Sequence, residues 1–338
     1  MNILVSNHNL VQAGGTESFT YTLIGELIKQ GHEVEYFCFN KGMYSDRIER
    51  DLNVRFKSKK KYDLVLANHN TTVDELNKCG FTIQTCHGIY PKLEQPSNKA
   101  RGYVSISQEV QNHLLNLGFP SRIIYNGIDC ERFKPNKELR SIPKVLSMCH
   151  SAEAHGIVAA ACRIAKLEFG TLDKYKDNAW KVEKIVNEYD LVIGLGRTAY
   201  EALACGRPVI IFDKRAYMQS YGDGYFLEVM LESLKNNCSG RALKIDFSPE
   251  SLALEMQKYN PGHGNIARRY SQLTFNIKNS QADYINYHSE LILLKQKRKI
   301  VNRIKETSIN KLVQLRFIFI HNLKRIYRFL RRLNKSYS

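Results

Sequence analysis

Short apolar runs alternate with stretches of helical periodicity along most of the chain. Ile3-Leu4-Val5 is unbroken by polar residues, the pattern of a strand covered on both faces. Ala13-Gly14-Gly15-Thr16 follows as a turn, and Phe19, Leu23, Leu27 and Ile28 then recur at helical spacing. Gly31-His32 ends that helix, and Val34 to Phe39 predicts the next strand. Further strand-like runs stand at Val54-Phe56, Leu64-Ala67, Thr82-Cys86, Val104-Ile106 and Ile123-Tyr125, with a helical pattern from Val110 to Leu117. A second series begins at Lys144-Val145-Leu146-Ser147-Met148. It continues through a helical stretch around Ile157-Lys166, a strand at Leu191-Val192-Ile193, a helix from Thr198 to Cys205 and a strand at Val209-Ile210-Ile211-Phe212. Strands alternating with helices predict mainly parallel sheets with covered faces, an α/β fold class.

Length turns one series into two domains. At 338 residues the chain exceeds a single ordinary domain. Asn126-Gly127-Ile128-Asp129 with Pro135 reads as a turn and linker. The expected partition is therefore a Rossmann-like domain over 1–138, a second over 139–285, and a helical tail over 286–338. In the tail Leu312, Leu315, Phe319, Leu323, Ile326, Leu330 and Leu333 form one apolar stripe at intervals of three and four.

Charge changes the picture only at that tail. The net charge is +17, yet fourteen basic residues and a single acid, Glu306, lie from Leu291 onward, so the body is nearly neutral. A basic amphipathic helix suits an anionic membrane surface, with a packed face on the body or a partner helix as the alternative. Nucleic acid is disfavoured, because the apolar stripe fits lipid or protein better. The first apolar run is too short for an export signal, and no segment reaches the roughly 20 apolar residues of a spanning helix. The expected location is cytoplasmic, peripheral on the inner face of the membrane if the tail binds lipid. Eight scattered cysteines without a C-x-x-C pair predict neither disulfides nor a structural metal site.

Two glycine-rich turns carry the candidate chemistry. Gly14-Gly15 lies between the first strand and the first helix, where backbone N–H groups and the helix dipole suit a phosphate; a purely structural turn is the competing reading. Gly194-Leu195-Gly196-Arg197-Thr198 closes a strand and opens a helix with a cation and a hydroxyl, a fitting cradle for a diphosphate. Glu201 follows one turn later, within reach of vicinal ribose hydroxyls, or else is an exposed helix charge. A dinucleotide oxidoreductase is disfavoured, since Gly14-Gly15 does not complete G-x-G-x-x-G.

Glu201-Ala202-Leu203-Ala204-Cys205-Gly206-Arg207-Pro208-Val209-Ile210 resembles the donor-site signature of GT-B glycosyltransferases, especially the retaining group called family four. Gly14-Gly15-Thr16-Glu17, Gly31-His32-Glu33-Val34 and Asn126-Gly127-Ile128-Asp129 with Phe133 and Pro135 resemble other segments of that family in the expected order. The resemblance implies two facing Rossmann-like domains, with a nucleotide-sugar (UDP- or GDP-linked) held by the second and a glycan or lipid-linked acceptor by the first. No metal is demanded, since no acidic cluster of the D-x-D kind stands at a plausible strand end, and no cofactor is expected beside the nucleotide-sugar substrate. Glu201 would hold the ribose, Gly196, Arg197 and Thr198 would face the diphosphate, and Gly14 and Gly15 would join the donor site. His87 and Glu17 would be the catalytic candidates, with His69 a weaker one. Two features depart from the family. Ile193 stands where a second glutamate is usual, and Cys149 to Gly156 lacks the usual arginine and lysine, leaving Arg197 as the expected replacement. The departures leave stereochemistry open and raise a competing reading, a catalytically degenerate glycosyltransferase-like binding protein or partner subunit.

Overall fold

The computed structural model describes residues 1–173, 179–297, 299–300, 312 and 316. Residues 1–286 form one compact unit. In chain order its first half runs β1 (Asn2–Ser6), α1 (Gly15–Lys29), β2 (Glu33–Phe37), α2 (Met43–Leu52), β3 (Leu64–Ala67), α3 (Asn70–Leu76), β4 (Phe81–Cys86), a 3-10 turn (Lys92–Glu94), β5 (Gly102–Ser105), α4 (Gln108–Asn116) and β6 (Arg122–Ile123). Its second half runs β7 (Val145–Ser147), α5 (Ala152–Ala165), β8 (Phe169–Thr171), α6 (Val182–Val186), β9 (Leu191–Gly194), α7 (Arg197–Ala204), β10 (Val209–Arg215), β11 (Ser220–Tyr225), α8 (Phe226–Lys235), α9 (Pro249–Met256) and α10 (His263–Thr274).

The first sheet has the order β2-β1-β3-β4-β5-β6 and is parallel throughout. The second has the order β11-β10-β9-β7-β8, parallel except for β11 at its edge. Ile3, Leu4 and Val5 are fully buried, as are Leu191, Val192 and Ile193, which is why both strands read as unbroken apolar runs. In both sheets the strand order reverses beside the first strand, at β1/β3 and at β7/β9. Such reversals leave a crevice at the carboxyl ends of the strands, where ligands of open α/β sheets bind.

One local expectation fails, and one strand was not expected. Val54-Phe56 is no sheet strand: it makes a single bridge, Tyr36 to Phe56, and the Val54 N–H turns to the Ile48 carbonyl of α2. The antiparallel strand β11 went unread because Ser220-Tyr221-Gly222-Asp223-Gly224-Tyr225 carries two glycines and little apolar alternation.

The chain passes between the two halves at two adjacent places. The Ile128 N–H donates to the Phe275 carbonyl at 2.6 Å, and the Ile277 N–H returns to the Ile128 carbonyl at 3.0 Å. Residues 277–286 are helical and sit against the first sheet. There Tyr284 is fully buried, its hydroxyl 2.7 Å from that of Thr85, and the Ser280 hydroxyl donates to the Tyr125 carbonyl. The amphipathic stripe of the tail lies outside the described residues, apart from Leu312. Among the described residues no helix is long and apolar enough to cross a membrane.

Candidate active site

A cleft of about 390 Å³ opens between the carboxyl ends of the two sheets. It brings together Gly14, Gly15, Glu17 and His87 from the first half with Gly196, Arg197, Thr198 and Glu201 from the second. His69 is not on its wall; it caps α3, where its Nδ1 accepts the His8 N–H at 3.1 Å.

The loop after β1 enters α1 through Gly14, whose missing side chain makes room for a carboxylate. A Cβ there would lie 2.0 Å from Oε2 of Glu17. Glu17 accepts the Thr16 hydroxyl at 3.0 Å, and burial raises its pKa above the usual carboxylate range.

His87 follows the last residue of β4. Its tautomer is set by a chain of side chains behind it. The Thr20 hydroxyl donates to the Thr16 carbonyl, so its oxygen accepts the Asn68 amide N–H at 2.8 Å. That turns Asn68 Oδ1 toward His87 Nε2 at 3.0 Å, and Nε2 therefore carries the proton. Nδ1 is left as a lone pair, buried without a hydrogen-bond partner; the Asn126 amide lies close by without meeting hydrogen-bond geometry. Burial, with smaller pushes from His69 and Arg197, lowers its pKa to about 3. His87 is therefore neutral at physiological pH, with Nε2 as its donor and Nδ1 as its acceptor.

On the opposite wall Gly196 caps α7 with φ +57°, a left-handed backbone that glycine adopts without strain. Its N–H is fixed to the Cys238 carbonyl at 2.8 Å. Arg197 is almost fully buried and turns toward protein partners. Nε donates to Glu201 at 3.1 Å, Nη1 to the Gly127 carbonyl at 3.1 Å and Nη2 to the Thr22 hydroxyl at 3.3 Å. The guanidinium thus joins α7 to α1 and to the linker, and Glu201 is held as its counter-ion.

Sequence reasoning missed several lining residues. Arg215, at the carboxyl end of β10, donates through Nε to Asp213 at 2.6 Å. Asp213 is fully buried and also accepts the backbone N–H groups of His150, Ser151 and Lys214. One carboxylate thereby fixes both the loop after β7 and the Arg215 guanidinium on the cleft wall, where His150 also stands. The available signal was position: a cation at the carboxyl end of a parallel strand. Glu94, on the 3-10 turn after β4, also faces the cleft, and no motif marked it. Trp180 closes one end, stacked on Arg47 at 3.8 Å and on Arg132 at 4.7 Å and met edge-on by Tyr21 and Tyr44. Among the described residues no cluster of His, Cys, Asp or Glu is arranged to hold a metal ion.

No protein-family model matches this sequence, and no curated protein matches it. Solved structures do match in shape. A protein described as a UDP-N-acetylglucosamine 2-epimerase from Listeria monocytogenes has a TM-score of 0.53 at 12% identity, over 84% of this chain and 94% of that one. An α-glucosyltransferase bound to UDP and a 13-mer DNA has a TM-score of 0.52 at 11% identity, over 86% of this chain and 99% of that one. With its two facing parallel-dominated sheets, this chain has the GT-B fold.

Proposed function

We propose that the protein is a glycosyltransferase that moves a sugar from a UDP- or GDP-linked donor to a glycan or lipid-linked acceptor, in polysaccharide or glycoconjugate synthesis. One observation carries the reading. The cleft lies at the strand-order reversals of both sheets, with glycine-opened helices on both walls and His87 on the first of them. The donor diphosphate belongs at the amino end of α7, by Gly196 and Thr198. Its charge is met there by Arg215, oriented by Asp213, with His150 beside it. Arg197 contributes at one remove: it holds Glu201 for the ribose and holds the two halves together. His87 Nδ1 accepts a hydroxyl of the transferred sugar. Rate then comes from joint positioning of donor and acceptor and from stabilising the departing diphosphate.

The test is binding followed by transfer. UDP or GDP at 100 times its Kd should stabilise the purified chain by about 2.7 kcal/mol in a melting experiment. A panel of UDP- and GDP-hexoses offered with alkyl glycoside acceptors should yield a glycosylated product. Silence across all nucleotides would sink the reading and favour a binding protein that has lost its donor site.

A further inference from the structure

Three carboxylates line the cleft among the described residues: Glu17, Glu94 and Glu201. Glu201 is committed to Arg197, and Glu17 takes the Thr16 hydroxyl. Glu94 differs from both: among the described residues no side-chain donor and no cation holds its carboxyl. Space for it is made by Gly88, where a Cβ would lie 2.5 Å from Glu94 Oε2, much as Gly14 makes space for Glu17. Two glycine gaps thus admit two carboxyls into one cleft from the first-half wall, opposite the amino end of α7.

The turn that carries Glu94 is tightly held. The Glu94 N–H donates to the Pro91 carbonyl at 3.1 Å, and the Asn70 amide donates to the Lys92 carbonyl at 2.8 Å. Gln95 clamps the preceding loop, donating to the carbonyls of Ile89 and Pro91 at 3.1 Å, while its own Oε1 sits 2.7 Å from His113 Nε2. A surface loop needs no such bracing. A group that has to meet a substrate hydroxyl does.

We propose that Glu94 is the catalytic base of the transfer, a role that rests on the glycosyltransferase reading above. The acceptor hydroxyl gives its proton to the Glu94 carboxylate as its oxygen bonds to the anomeric carbon. The bond from that carbon to the diphosphate oxygen breaks, and its electron pair leaves with the nucleotide. This is a single displacement from the face away from the leaving group, so the new linkage has the anomeric configuration opposite to the donor's. Burial, reinforced by the charge of Glu17, pushes the Glu94 carboxyl up to about 7, the basicity that suits a general base at neutral pH. The other charged or titratable groups facing this space are Glu17 and Tyr21 from α1, Tyr44 from α2, His87 beyond β4, Arg132 from the linker, Arg197 and Glu201 from α7, His150 beyond β7, Arg215 from β10 and Tyr217 beyond it.

The experiment uses the full chain with the UDP- or GDP-hexose that stabilises it and an alkyl glycoside acceptor. Glu94→Gln should lower kcat by about 100-fold or more. It should leave the nucleotide-induced melting shift and the donor KM within about threefold of wild type, because Glu94 is on the acceptor wall. Wild-type kcat/KM should rise through pH 7; in Glu94→Gln that rise should vanish, and Glu94→Asp should restore part of the rate. Glu17→Gln should move the midpoint of the rise to lower pH, since it removes a neighbouring negative charge. The linkage formed should be inverted by NMR. Wild-type kcat in Glu94→Gln, or a product with the donor's configuration, overturns the proposal. Wild-type protein that binds no nucleotide overturns the glycosyltransferase reading itself, and this proposal with it.

Discussion

Arg197 and Glu201 form an ion pair one helical turn apart, 3.1 Å between Nε and Oε1, with side chains only 8% and 4% exposed. The remaining guanidinium nitrogens cross the cleft to Thr22 and Gly127. Arg197→Ala therefore removes the counter-ion of a buried carboxylate and is expected to cost about 3–5 kcal/mol of stability. Urea denaturation of Arg197→Ala, Glu201→Gln and the double variant checks this. The double variant should be less destabilised than the sum of the singles, and additive losses would show the pair to be uncoupled.

Arg215 should act on the ligand as well as on the fold. Arg215→Gln is expected to weaken UDP or GDP binding by about 10- to 100-fold, the worth of one charge-assisted hydrogen bond, and to lower the melting temperature as well, because buried Asp213 loses its counter-ion. Isothermal titration at two salt concentrations would show it, because losing a cation should also flatten the salt dependence. Unchanged affinity would place the diphosphate elsewhere.

Acid should destabilise the protein before its ordinary carboxylates titrate. Burial lowers His69 to about 4 and His87 to about 3, while both return to about 6.5 in the unfolded chain. Between these values the unfolded state binds more protons, so stability falls as pH drops from about 6.5 toward 4. Glu94 works the other way: raised to about 7, it is protonated in the folded state first and favours folding as pH falls from 7 toward 4.5. Urea midpoints from pH 4 to 7.5 should show a net acid loss, and His69→Asn should blunt it. An identical slope in that variant would mean that the imidazole titrates normally.

A second cross-cleft pair should govern opening. Glu109 at the start of α4 accepts Arg241 Nε at 2.9 Å and the Asn236 amide at 3.1 Å, with both charged side chains largely buried. Glu109→Gln is expected to widen the cleft. Small-angle scattering without nucleotide should give a larger radius of gyration than wild type, and nucleotide should reverse the difference.

The strand runs, both glycine turns and the order of the segments were legible because they are local: buried strands are apolar, and α1 and α7 each open at a glycine. Val54-Phe56 misled because its residue types suit a strand, whereas its partners allow only one bridge. The aim of Arg197 was beyond local reading. A cation at a helix start is electrostatically suited to a phosphate, and only the packing of α7 against Thr22 and Gly127 turns it toward the protein. Glu94 was hidden for the same reason. Pro91-Lys92-Leu93-Glu94-Gln95-Pro96 reads as an ordinary polar loop until the fold sets Gly88 beside its carboxyl and brings up Glu17, distant in sequence, as a neighbour.

The return of residues 277–286 to the first sheet has a consequence for dissecting the gene. Tyr284 is buried there beside Phe19 and Thr85, so a fragment ending at the linker carries an open socket where that helix belongs. The complementary fragment carries the helix with nothing to fill. Neither piece of a linear cut is a finished body, whereas two such pieces made together have a specific means of finding each other, socket and plug. The cleft between the halves is in this sense held by a chain that has threaded itself through both.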